Sequence, residues 1–148
     1  MEKKYKNILF RWALVFIYCF LIYIQSSHSS AISDPGIPHI DKLLHFLAYA
    51  LLGVLFFRAF STMRFKDRIN LLMILSILSS ICYGISDEIH QHYVSSRSAD
   101  IMDVLADTFG SICGVFFYEL LMVKYGNFMN FGKQSGHLVG HLGSGRVN

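Results

Sequence analysis

Three short stretches of a largely apolar chain concentrate the residues able to do acid–base or ionic chemistry. In "DKLLHFLAY", Asp41, His45 and Tyr49 recur at i, i+4 and i+8, and Lys42 lies three residues before His45. On a helix these side chains share one face. In "YGISDEIHQHY", Tyr83, Asp87 and Gln91 repeat that spacing, and Glu88 and His92 form a second i, i+4 pair. In "DIMDVLAD", Asp103 and Asp107 fall one turn apart, and Arg97 stands between the last two stretches.

Each type has a use. Imidazole has an unperturbed pKa near working pH, so His45 is suited to proton transfer. Asp87 or Glu88 is suited to orient that histidine, act as a base or pair with a cation. Lys42 and Arg97 are suited to an anionic phosphate or carboxylate, Arg97 through its planar fork of donors. The expected catalytic set is His45, Asp87, Glu88 and Asp103. The expected substrate-binding set is Lys42, Arg97, Gln91, Tyr49 and Asp41. A metal-dependent version uses Asp87, Glu88 and Asp103 as oxygen ligands for a hard divalent ion, with His45 beside them. No dedicated ligand spacing marks it, so the first expectation is a site without a cofactor. The same residues could instead form an ion-pair network that locks helix ends together.

The elements that must position these groups follow from composition. Of 148 residues 53% are hydrophobic and only 16% charged, against the roughly 25% charged of a soluble domain. Four stretches, about residues 8–25, 43–60, 69–86 and 104–123, reach the length of about 17–25 mostly apolar residues that a spanning helix needs. None alternates with the period of two of a barrel strand. The expected fold is all-α, an integral membrane four-helix bundle over residues 1–125. A glycine-rich stretch, residues 126–148, follows as a flexible cytoplasmic tail.

Basic residues set the orientation. Lys3, Lys4, Lys6 and Arg11, then Arg58, Arg64, Lys66 and Arg68, then Lys124, Lys133 and Arg146 all fall on one side; only Lys42 and Arg97 fall on the other. Both termini are therefore expected in the cytoplasm, and the three polar stretches face outward from a multi-pass protein of the cell membrane. The basic start and the small residues of "SSHSSA" also fit a cleaved signal peptide, but the apolar run exceeds the usual 7–15 residues or so. An uncleaved helix is the expectation. Cys19, Cys82 and Cys113 each lie inside a span and read as packing residues. Glycines around His137 and His141 argue against a helical metal site there. The basic residues are accounted for by topology, so nucleic acid is not expected as a partner.

"DKLLHFLAYALLG" and "YGISDEIHQHYVSSRSADIMDVLADTFG" resemble the two signature blocks of the VanZ-like membrane proteins. Asp41, Lys42, His45, Phe46 and Tyr49 match the first block. Tyr83, Gly84, Asp87, Glu88, Gln91, Arg97, Asp103 and Gly110 match the second. The resemblance covers roughly residues 8–123. Asp107 stands where that family usually has asparagine, and Ser95 and Ser96 replace a common proline and glycine. The family takes its name from a member linked to teicoplanin resistance, and the resemblance implies a membrane fold more than a reaction.

The leading expectation is an outward-facing site that binds or processes the anionic head group of a membrane lipid or a lipid-linked envelope precursor. A link to glycopeptide resistance comes from the resemblance alone. The alternative is a non-catalytic membrane scaffold or envelope-stress accessory. A proton-coupled transporter fits poorly, because the acids gather at one face and offer no continuous path.

Overall fold

The computed structural model describes residues 2–27, 40–63, 67–94 and 100–143, with side chains as far as residue 124. Four helices follow one another: α1 (Glu2–Ser27), α2 (Ile40–Phe60), α3 (Ile69–His92) and α4 (Ile101–Gly143). Each contains a stretch long and apolar enough to cross a membrane, and no strand occurs among the described residues. Residues 1–116 form one compact unit and residues 117–148 a second. In the second, the backbone of α4 stays helical to Gly143, through a segment whose glycines suggest a tail. Glycine costs a helix about 1 kcal/mol per residue but does not forbid it.

Large apolar side chains such as Phe16, Leu47, Ile74 and Phe109 point outward from the four helices. In lipid such a surface is matched to its solvent, and helices must associate by close packing and interhelical hydrogen bonds. Both devices are present. On α4, Gly110 and Gly114 lie directly against the backbone of α2, at the Phe46 and Ala50 carbonyls. A β-carbon at either position would occupy the space of those carbonyls. Buried Leu72, Ser76, Ser80 and Gly84 form an i, i+4 stripe of mostly small residues along α3. Ser111 Oγ of α4 donates to Ser80 Oγ of α3 at 2.8 Å, and Ser80 Oγ donates to the Tyr49 carbonyl of α2 at 3.4 Å. This chain of hydroxyls joins three helices below the polar stretches.

α1 is fastened separately. Tyr18 donates to the Ala48 carbonyl at 3.2 Å, and Tyr83 of α3 donates to the Cys19 carbonyl at 2.5 Å. At the other end Arg11 Nη1 reaches the Arg58 carbonyl (2.9 Å) and Ser61 Oγ (3.0 Å). The three cysteines are free thiols, with Cys82 and Cys113 exposed on the apolar surface and Cys19 intermediate.

α3 continues two turns past the expected end of its span, to His92. That extension carries Asp87, Glu88 and Gln91, all buried, so they sit on packed helix and not on a connecting loop. The start of α4 is fixed by Asp100, whose Oδ1 accepts the Met102 N–H at 2.9 Å in the manner of an N-cap.

Candidate functional site

The first turns of α2 and α4 and the last turns of α3 converge at one end of the bundle, where the polar groups lie in two layers. In the first layer Lys42 Nζ donates to Asp100 Oδ2 (2.7 Å), Asp103 Oδ1 (2.9 Å) and Asp41 Oδ2 (3.3 Å). An ammonium has three N–H donors, so Lys42 is fully engaged. The hydrogen bond from Lys42 holds the Asp100 carboxyl below its ordinary pKa. Glu88 joins this layer through Oε2, which accepts the backbone N–H of Asp100 at 3.1 Å. The last turns of α3 thereby grip the start of α4.

One turn further in, His45 Nδ1 and Asp107 Oδ1 are 3.0 Å apart. The Tyr49 ring lies parallel to that of His45, 6.3 Å between centroids. Asp107 is only 1% exposed and Glu88 5%, a high cost for carboxylates in a membrane bundle unless they are paired. Each has one oxygen satisfied and one not. Glu88 Oε1, Asp107 Oδ2 and the Tyr49 hydroxyl are buried and find no hydrogen-bond partner among the described residues.

Beside this layer a cavity of about 450 Å³ opens between α1, α2 and α3. Its lining mixes polar residues, among them Gln25, His45, Asp87 and Gln91, with apolar ones such as Leu21 and Leu44. Gln91 Nε2 donates to Asp87 Oδ2 at 3.0 Å, which fixes both side chains in that lining.

Eight of the nine expected site residues fall at this end of the bundle, and they divide into groups that spacing alone does not reveal. Asp41, Lys42 and Asp103 form the outer ion cluster with Asp100. Asp87 and Gln91 pair with each other on the cavity wall. His45 and Tyr49 belong to the inner layer, and Glu88 bridges the two layers. Arg97 lies outside the described residues. The expected Glu88–His92 pair separates, because Glu88 turns into the helix interface and His92 is exposed.

Asp107 is the partner of His45, although neither expected set contains it. Its i+4 spacing from Asp103 and its place one turn before Ser111 are the signals that find it. Asp100 belongs to neither expected set, and its two roles, cap and ion-pair partner, need the fold. Among the described residues, one group of three has metal-ligating atoms all within 4.8 Å of one another: His45, Glu88 and Asp107. Of the three oxygen ligands the sequence offered, only Glu88 belongs to it.

Four apolar helices around a buried polar cluster define a multi-pass membrane protein. The chain matches the VanZ/LLP1 family model over residues 3–122 and belongs to that family. No curated protein and no solved structure matches it.

Proposed function

We propose that the cavity receives the head group and the first carbons of a membrane lipid or a lipid-linked envelope precursor, at the outer face of the cell membrane. The mixed polar and apolar lining of the cavity carries this reading. Its apolar residues suit an acyl or prenyl chain, while His45, Asp87 and Gln91 suit a polar head. Its volume of about 450 Å³ lies within the roughly 300–1,000 Å³ of small-molecule sites. His45, oriented by Asp107, is the group placed to exchange a proton with the head. Lys42 is committed to three carboxylates, so the sequence leaves Arg97, outside the described residues, as the cation for an anionic head group. The link to glycopeptide resistance extends this reading to a change in the envelope surface.

The test is lipid retention by the purified full chain, measured by native mass spectrometry with phosphatidylglycerol or a polyprenyl phosphate as probe. Leu44→Trp, which fills the cavity, and His45→Ala should each lower retention at least about tenfold, roughly 1.4 kcal/mol. Retention equal to that of the native chain in both would overturn the reading. Lys42 with its three carboxylates favours the scaffold alternative for the outer layer. Under that alternative, variants of this layer lower stability while lipid retention by the remaining folded protein is unchanged.

A further inference from the structure

We propose that His45, Glu88 and Asp107 form a binding site for one divalent cation of the zinc or manganese class. The proposal stands on the geometry of three helices and shares His45 with the cavity wall, where a bound ion would take the place of the proton assigned to His45 above. α2, α3 and α4 each contribute one residue, and the three ligating atoms lie within 4.8 Å of one another. Two ligands at about 2.0–2.2 Å from a shared ion are at most about 4.4 Å apart, so closure needs only side-chain adjustment.

The satisfied and unsatisfied atoms point the same way. Glu88 Oε2 is held by the Asp100 amide and Asp107 Oδ1 by His45, while Oε1 and Oδ2, both buried, have no partner among the described residues. Two buried carboxylate oxygens without donors call for a cation. Lys42 does not supply it, since its donors are taken by Asp41, Asp100 and Asp103. A histidine–aspartate pair accounts for Oδ1 and leaves Oδ2 and the second carboxylate unanswered.

Gly84 also fixes the place of the carboxylate. A β-carbon there would stand 2.8 Å from Asp107 Oδ2 and 3.1 Å from Tyr49 Cε1, so the Asp107 carboxylate reaches its position against α3 because residue 84 has no side chain. One imidazole nitrogen with two carboxylates suits zinc, manganese or iron better than magnesium or calcium, which prefer oxygen alone. The Asp100 amide on Glu88 Oε2 acts as an outer support of the kind that orients a ligand around a metal.

The full chain, purified in detergent and stripped with EDTA, is reloaded with Zn²⁺ or Mn²⁺ and its metal content measured after gel filtration. One ion per chain is expected, both in the native chain and in the His137→Ala, His141→Ala double variant, which removes competing tail histidines. Affinity should fall at least about tenfold in His45→Ala, Glu88→Gln, Asp107→Asn and Gly84→Ala. Should the ligand variants not fold, thermal unfolding of the native chain decides: Zn²⁺ or Mn²⁺, and not Mg²⁺, must raise the midpoint. No bound metal, undiminished binding in the folded ligand variants, or an unmoved midpoint overturns the proposal. A chain without metal that still retains lipid overturns this inference alone.

Discussion

Gly110→Ala tests whether the contact between α4 and α2 sets the geometry of the site. The added methyl would meet the carbonyl, carbonyl carbon and Cα of Phe46, all backbone atoms. No rotamer change relieves such an overlap. Restoring ordinary contact, 3.4 Å or more, requires the two backbones to part by about 1 Å. The cost of overpacking of this kind is about 1–3 kcal/mol. His45 is the neighbour of Phe46, and Asp107 lies three residues before Gly110. Their 3.0 Å hydrogen bond, stretched by about 1 Å, ceases to be one. The change should therefore lower the midpoint of unfolding in mixed micelles and shift the ¹⁵N resonance of His45 Nδ1. Phe109→Ala is the control, because Phe109 is 60% exposed on the apolar surface. A Gly110→Ala chain within about 0.5 kcal/mol of that control, with an unchanged His45 resonance, would refute the reasoning.

Lys42→Met should destabilise the bundle by about 1.5–3 kcal/mol near neutral pH, because buried Asp103 loses its charged donor. The Asp100 carboxyl titrates below its ordinary value of about 3.9 in the folded chain. Its contribution is therefore fully present above that value and is lost as pH falls through the lower, folded value. The native chain should lose stability over that interval in a pH series of unfolding curves, and Lys42→Met should show a smaller loss, since only the Met102 N–H then still favours the Asp100 carboxylate. Topology is checked in a cysteine-free chain carrying Lys3→Cys or His92→Cys. An impermeant maleimide added to intact cells should label only position 92, and labelling of position 3 instead would reverse the proposed orientation.

The helices were legible because a span is a matter of length and apolar content, which a chain displays directly. The end of α3 was less so. "SDEIHQH" reads as an exit from the membrane with helical spacing, and the helix does run to His92, but that Asp87, Glu88 and Gln91 are buried there needs the fold. Residues at i, i+4 share a face, but nothing in the spacing says which neighbour that face meets. Glu88 and His92 illustrate this: one turn apart, they end in buried and exposed surroundings. The part of α1 was not legible at all, since Leu21 and Ile24 look like lipid-facing residues until a cavity is seen between them and α2.

Asp107 shows most clearly how one residue acts through the fold. An asparagine there could accept from His45 through its amide oxygen as the carboxylate does here. The hydrogen bond alone therefore does not explain an acid at this position. What the carboxylate adds is a second negative oxygen, and it packs against Gly84, near Glu88. An acid kept 1% exposed in a membrane bundle is costly without a matching positive charge. Lys42, fixed a turn away by three other carboxylates, is not that charge. Asp107 and the cluster around it are physically consistent only if a cation, bound ion or proton, meets the inner layer, and metal loading of the native chain separates the two.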